Sequence, residues 1–385
     1  MQENENKIIN YPTIIGSGLV FLDIIFNNEF KKPFYKAGGT CGNIIAGLSY
    51  LKWQSIPVAR IGNDIAGRIL IIDLLKNGVD VKHILIEEQG KTPRIIERLS
   101  SNGIYAKHVF LLRCPVCQTY LPRFRIPNLR YIKDILEYNE IPQVFFFDLM
   151  TPSTLEMANK YRQAGSLIYF EPNNLQYKVD IKKAIRISHI VKFSGGENME
   201  STIEADNSIR RILLMGPLLV IKTLGKYGVI YGLREKNNQH YRKSIDLNTV
   251  VDSCGAGDWF TIGFLYYLMK ITHNKVDIFT ALKSEKIVNV SINYGQIMAS
   301  LSCMFFGARG LSDSVDCEDV LEIVCSMLGE NPALSASKSK IFLNKSRIWN
   351  RIVINGEEEK YCPICLSYLK NCKILDSPHQ PLKRT

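Results

Sequence analysis

The stretch VVDSCGAGDWFTIGFLYYL, Val250 to Leu268, decides how this chain reads. Two close-set glycines, Gly255 and Gly257, precede Asp258, and an apolar run follows with no Gly or Pro after Gly263. That pattern is a tight turn opening into a buried helix. Glycine lets the backbone approach a ligand closely, and the free N–H groups at a helix start attract phosphate. Asp258 then stands in the first helical turn, beside the phosphate. A carboxylate there has a use as a general base that takes a proton from an attacking hydroxyl. The plain rival is a helix entry whose first-turn acid is favoured by the helix dipole.

Working outward, TIIGSGLVFLDII near the N-terminus reads as one buried strand with a Gly interruption. KAGGTCGN, Lys36 to Asn43, reads as a Gly-rich turn that leads into IIAGLSYLKW, an amphipathic helix. VARIGND is strand then turn, followed by a helix from about Ala66 to Asn77 that Gly78 ends as a C-cap. The alternation continues through QVFFFDL, a helix near Ser153–Ala164, SLIYFEPN, a helix near Ile181–Ser188, HIVKFS, a helix near Ser201–Met215, and LLVIKTLG. Such a rhythm predicts a doubly wound α/β fold: a mostly parallel sheet with helices on both faces. Functional loops of such sheets lie beyond the strand C-terminal ends, where Glu171–Asn174, Ser194–Glu197 and Thr223–Gly228 fall. Thr92 to Arg125 breaks the rhythm and reads as a small β excursion, or lid. From about Asn331 a Ser/Lys linker, ALSASKSK, leads to an IVING hairpin candidate and an acidic EEEK run. The expected division is a core over 1–330, with the lid at about 92–125, and a basic tail over 331–385.

The formal net charge is +11, and its placement matters more than its size. Lys91–Lys133 carries +8, Asn331–Thr385 carries +6, and the remainder is −3. Two basic segments suit an anionic partner, a phosphorylated substrate or a nucleic acid, or are simply solvated surface. No apolar run approaches the ~20 residues needed to span a bilayer. The polar start MQENENKIIN lacks the apolar centre of a signal peptide, so a cytoplasmic location is expected, with no membrane partner. Ten cysteines in that compartment are expected as thiols or metal ligands rather than disulfides.

Taken in order, these motifs resemble the ribokinase-like carbohydrate kinases of the PfkB family, over roughly Ile14 to Ser312. DSCGAGD is similar to the family's D-T-x-G-A-G-D signature, with Ser253 where Thr is usual. AGGTCGNIIAGLSYL places Gly38, Gly39 and Asn43 at the family's N-terminal glycine pair. ARIGNDIAGRILIIDLLKNGVDV, KTPRII, KTLGKYGV and FFGARG are further matches. The resemblance implies an ATP-dependent kinase that phosphorylates a hydroxyl of a sugar or sugar-like molecule. Asp258 is then the catalytic base, and Gly255, Ala256 and Gly257 give backbone N–H groups to the transferring phosphoryl group. Asp23, Gly38, Gly39 and Asn43 bind the acceptor, the Asp23 carboxylate taking its hydroxyls. Thr223, Gly225, Gly228, Gly307 and Ala308 shape the nucleotide site. The family's N-x-x-E motif stands here as Ser194-Gly195-Gly196-Glu197, so Glu197 would hold Mg²⁺ through water, Ser replacing the usual Asn. A monovalent cation is a further expected cofactor, and lid-paired homodimers are compatible with the family. Plain rivals are a turn role for Asp23, a helix-start role for Glu197 and a hairpin role for the Thr223–Gly228 glycines. A nucleoside kinase on the same core is the runner-up. A catalytically weak homologue that holds nucleic acid or protein is the rival from another class, less favoured because Asp258 is retained.

The resemblance does not cover two cysteine pairs. RCPVCQTYLP holds Cys114 and Cys117, and KYCPICLSYL holds Cys362 and Cys365. Both read Cys-Pro-Val/Ile-Cys, then one residue, then Ser/Thr-Tyr-Leu. Four thiolates from two CxxC turns suit tetrahedral Zn²⁺. The expectation is a shared structural zinc that pins the tail to the lid, the alternative two unrelated thiol pairs or a redox pair. The basic charge of both segments would then rim the acceptor pocket and suit an acceptor that bears phosphate. Of the other thiols, Cys41 in the Gly turn is a candidate for oxidation. Cys254 stands at a variable position of the signature, and Cys303, Cys317 and Cys325 read as core or helix-face thiols. His108, Cys372 and His379 are spare ligand candidates.

Overall fold

The computed structural model describes residues 11–26, 33–100, 107–172, 179–195, 207–236, 238–245, 250–272, 276–329, 361–362 and 364–367. In chain order the strands are β1 (Thr13–Ser17), β2 (Phe21–Phe26), β3 (Phe34–Gly38), β4 (Gln54–Gly62), β5 (Ile84–Glu87), β6 (Arg94–Ser100), β7 (Lys107–Leu111), β8 (Val144–Phe147), β9 (Leu167–Phe170), β10 (Ile190–Ser194), β11 (Leu219–Thr223), β12 (Val229–Leu233) and β13 (Gln239–Arg242). The helices are α1 (Thr40–Tyr50), α2 (Ile65–Lys76), α3 (Leu129–Glu137), α4 (Pro152–Gln163), α5 (Val179–Ile187), α6 (Ser208–Leu213), α7 (Ala256–Thr272), α8 (Ile278–Ala281), α9 (Glu285–Ser302), α10 (Gly310–Ser314) and α11 (Cys317–Met327).

The main sheet runs β13-β12-β11-β10-β9-β8-β1-β4-β5, parallel from β11 through β5 and antiparallel at the β12–β13 edge. Its central strands, β8 to β11 with β1, are short apolar runs buried on both faces, as a parallel sheet covered by helices requires. FFF in β8 shows the period-2 rule: Phe146 packs into the core under α1, α7 and α9, whereas Phe145 and Phe147 pack into a second core under α3, α4 and α5. The mostly parallel doubly wound sheet predicted from the alternating rhythm is the observed architecture.

A second sheet has the order β3-β2-β6-β7 and includes the stretch expected as a lid. The excursion at Thr92–Arg125 supplies β6 and β7, and β2 and β3 supply the other half. This corrects the reading of TIIGSGLVFLDII as a single strand. After β1 the chain turns through Gly18 and crosses to the other sheet, because the Leu19 amide is drawn to the Asp148 carboxylate at 2.9 Å. KAGGTCGN is likewise not a loop: Lys36, Ala37 and Gly38 end β3, and α1 starts at Thr40. The turn is confined to Gly39, whose φ of 86° and whose missing side chain, 2.4 Å from Leu19 O, require glycine. Helix α1 is not amphipathic either; Cys41 through Ser49 are all buried, between the sheet and α7. Of the helix expected over Ser201–Met215, α6 is the described part. No described helix is long and apolar enough to cross a membrane.

Candidate functional site

The C-terminal ends of β1, β8, β9 and β10 meet the first turn of α7 near the point where strand order reverses, the usual crevice of such sheets. Asp258 lies in that turn, partly buried. Gly255 makes the turn possible: its φ is 75°, and a Cβ there would stand 2.6 Å from the Ala308 backbone. Gly257 follows at the second helical position, where a backbone N–H has no partner within the helix. The Ala256 amide bonds back to Ser253 O at 3.3 Å.

Hydrogen bonds that involve side chains hold this turn. The Asn43 amide of α1 donates to Asp258 Oδ2 at 2.7 Å. Asp252 accepts from the Cys254 amide at 2.9 Å and from the Gly307 amide at 2.8 Å, so the first carboxylate of the DSCGAGD stretch ties its own turn to the FFGARG loop. The Trp259 indole donates to Ala308 O at 2.8 Å. Gly307 and Ala308, predicted for the nucleotide side, are thereby placed against Gly255. Thr223, Gly225 and Gly228 lie on the adjoining β11–β12 hairpin, which the Gly195 amide joins by a bond to Thr223 O at 2.8 Å. Gly225 and Gly228 thus have a hairpin role, and Gly228 is bare because Arg242 O would stand 2.1 Å from its Cβ.

Burial and the neighbouring Glu171 push the Asp258 carboxyl up to about 7, while the Asn43 bond and Lys192 pull the other way. Lys192 is a buried cation under the turn. Its ammonium contacts Glu171, Gly257 O at 2.7 Å and Thr261 Oγ1 at 2.9 Å, which uses its three protons. Thr261 also donates to Glu171 at 2.8 Å. Glu171 opens one of the loops expected to be functional, and Lys192 is a residue to which the sequence assigns no role. The signal was a lysine in the middle of the otherwise apolar strand IVKFS.

Asp23 of β2, predicted to bind the acceptor, lies opposite Lys36 of β3 and beside Ile95 of β6. Its carboxylate lies over Gly38, where any side chain would collide with it. Burial and then Glu97 raise its pKa well above the usual carboxylate range, with Arg309 opposing and Asp258 and Asp73 adding to the rise. Glu97 is buried on β6, with Oε1 3.5 Å from Cys254 Sγ. The predicted residues are thus brought near one another: Asn43 bonds Asp258, Asp23 lies over Gly38 next to Gly39, and Asp258 acts on Asp23. Asp148, to which the sequence likewise assigns no role, accepts the Leu19 and Cys41 amides, and burial pushes it up to about 8. Cys41 is fully buried and its thiol is pushed up, so it lacks the exposure and thiolate character that oxidation needs. Glu197 lies outside the described residues, as do the linker, the IVING and EEEK segments, Cys372 and His379.

Three of the basic residues of 91–133 gather elsewhere. Lys91, Arg123 and Arg125, with Arg60 of β4 and Tyr120, line a cavity of about 680 Å³ whose wall contains none of the predicted substrate residues. Next to it the two cysteine pairs come together. All four sulfurs lie within 4.8 Å of one another, and Cys114, Cys362 and Cys365 are fully buried.

Residues 136–312 match the pfkB family of carbohydrate kinases. Both cysteine pairs fall outside that stretch. Fructokinase of Escherichia coli is 25% identical over 244 residues, 59% of this chain and 75% of that one. The structure of a fructokinase with bound ATP from Xylella fastidiosa superposes with a TM-score of 0.66 at 18% identity, over 82% of this chain and 99% of that one. Fructokinase from Vibrio cholerae O395, in a fructose, ADP and calcium ion bound form, gives 0.57 at 20% identity, over 79% and 96%.

Proposed function

As the chain carries a pfkB family carbohydrate kinase domain, we propose that it moves the γ-phosphoryl group of ATP to a hydroxyl of an uncharged sugar, with Asp258 as the general base. The observation that carries this is the 2.7 Å bond from Asn43 to Asp258. It joins the acceptor side, on α1, to the phosphate-binding turn of α7, and leaves the base between the two reactants.

Asn43 holds the Asp258 carboxylate in one orientation, and the carboxylate takes the proton of the acceptor hydroxyl as that oxygen attacks phosphorus. The amides of Gly255 and Gly257 face the charge that develops on the phosphoryl oxygens. Asp23 accepts further hydroxyls and fixes which one is presented. The carboxylates Glu171 and Asp258 offer oxygen donors of the kind Mg²⁺ prefers, and Glu197 would add a third. Mg²⁺, when bound, neutralises charge on the donor phosphates. One structural zinc in the four-cysteine site completes the cofactor set.

The carboxylates Glu97, Asp258 and Asp73 all act on Asp23, against the cation Arg309. A phosphate on the acceptor would add like charge there, whereas a neutral sugar offers hydroxyls to accept from. The fructose-bound form of the Vibrio cholerae neighbour suits the same substrate class. The test measures ADP release and melting temperature with D-fructose, other neutral hexoses and pentoses, and their 6- or 5-phosphates. A neutral sugar is expected to support turnover and raise the melting temperature. Turnover confined to phosphorylated sugars would refute the neutral acceptor. No ADP release with any of them would refute the kinase reading of this site.

A further inference from the structure

The two cysteine knuckles are conformational copies of each other. In the first, the Cys114 amide donates to Thr119 O at 2.9 Å and the Gln118 amide to Cys114 O at 3.0 Å. In the second, the Cys362 amide donates to Ser367 O at 2.8 Å and the Leu366 amide to Cys362 O at 3.0 Å. Gln118 and Leu366 share the left-handed backbone, with φ of 57° and 59°. The Thr119 hydroxyl lies 3.3 Å from Cys117 Sγ, and the Ser367 hydroxyl 3.2 Å from Cys365 Sγ. Facing each other, the knuckles bring Cys114 to 3.8 Å from Cys362 and Cys117 to 3.4 Å from Cys365. A disulfide needs sulfurs about 2.05 Å apart. Tetrahedral zinc with Zn–S near 2.3 Å needs them about 3.8 Å apart. The spacing fits the metal.

The second knuckle belongs to the C-terminal tail, and what it touches is the lid. The buried Arg94, first residue of β6, donates to Cys365 O at 2.5 Å, to the Asp64 carboxylate at 3.1 Å and to Thr92 O at 3.3 Å. The Tyr35 hydroxyl of β3 lies 3.3 Å from Ile364 O, which it meets as donor. Arg94 pairs with Leu22, next to Asp23, and Tyr35 pairs with Ile24 on the other side of Asp23. The tail therefore grips the two strands that flank the acceptor carboxylate. Asp64, the N-cap of α2, ties the same arginine to the core.

We infer that a zinc ion held by Cys114, Cys117, Cys362 and Cys365 makes the C-terminal tail a brace for the lid, so that order in β2, β3 and β6 depends on the metal while the phosphate-binding turn does not. The inference rests on the zinc reading of the four cysteines, and its ligand is the metal itself. Without the brace, Arg94 loses a carbonyl and becomes a buried cation with one acceptor fewer, and β3 loses its Tyr35 anchor. With it, Asp23 is held at a fixed height over Gly38. A polyol acceptor is then selected by a sheet that the tail positions, without a tail residue touching it.

The test uses the full chain purified without chelator. Zinc per chain is measured, then amide hydrogen exchange is followed by mass spectrometry before and after zinc is removed with a chelator, and again after zinc is restored. The expected result is one zinc per chain, exchange in residues 21–26, 34–38 and 94–98 faster by about tenfold on removal, reversal on restoration, and no change in α7 and α9. Less than one zinc per chain would overturn the zinc reading. Zinc present but lid exchange unchanged on its removal would overturn the brace alone. Faster exchange in α7 and α9 to the same extent would overturn it too, since the metal would then hold the whole fold. Arg94→Gln keeps all four thiols. It is expected to retain its zinc and still speed exchange in β2 and β6, and unchanged exchange there would reject the path through Arg94.

Discussion

Asp258→Asn should inactivate the protein and stabilise it, and the two effects share one cause. Burial and Glu171 hold the Asp258 carboxyl at about 7, against an ordinary 3.8. The native state therefore keeps a proton that the unfolded chain has already released between about pH 4 and 7. Stability falls with pH wherever the folded state binds more protons, so this group subtracts stability across that window and the full loss is present above it. A shift of about 3 units corresponds to roughly 4 kcal/mol, an upper bound because the side chain is partly exposed. Asparagine carries no charge and is nearly isosteric. Some of the gain is offset by a weaker contact with Asn43, worth about 1 kcal/mol. The variant is expected to be more stable than the parent at pH 8 by about 1–3 kcal/mol, and equal to it within error at pH 4. Urea or thermal melts at both pH values measure this. Removing the base should at the same time cost about 10²- to 10⁴-fold in turnover. In the parent, turnover should rise with unit slope up to about pH 7 and level off, roughly tenfold higher at pH 8 than at pH 6. A variant less stable than the parent at pH 8 would refute the electrostatic account. A variant with near-parental turnover would remove Asp258 from the chemistry.

Two further outcomes follow from the same contacts. Asn43→Ala removes the bond that lowers the Asp258 pKa, so the rising limb of the pH profile should move above 7 and turnover at pH 7 should fall about tenfold; an unmoved profile would show that the bond does not act on the base. Gly255→Ala demands both a left-handed backbone and a displaced Ala308, and should cost about 2–4 kcal/mol of stability and weaken ATP affinity together, measured by melts and nucleotide titration. Wild-type stability with intact ATP binding would mean the turn is less constrained than the contact with Ala308 requires.

Much of the site could be read from residue order. GAGD, the glycine pair and the alternating strands each follow from local rules: glycine where the backbone must turn tightly, a carboxylate at a helix start, apolar runs of strand length. Glu97, Asp148, Glu171, Lys192 and Asp252 were not legible in that way. Each sits in an apolar strand, at a strand end or in a loop, and acquires its role from a partner tens to more than a hundred residues away. Lys192 meets Glu171 and Gly257, and Asp148 meets Leu19 and Cys41. The single-strand reading of TIIGSGLVFLDII failed for the same reason, since local pattern cannot tell one strand with a kink from two strands in different sheets.

Sequence alone determined the doubly wound core, the glycine turn that opens the helix of Asp258, and the likeness of the two CPxC segments. These depend on short-range stereochemistry and on the period of apolar residues, which are written locally. Tertiary structure decided what those parts face. Asn43 meets Asp258, Glu97 and Asp258 act on Asp23 while Arg60, Lys91, Arg123 and Arg125 line another cavity, and two knuckles 248 residues apart close on each other beside Arg94. Contacts across such separations depend on how the sheets and helices pack, and no window of sequence contains both partners.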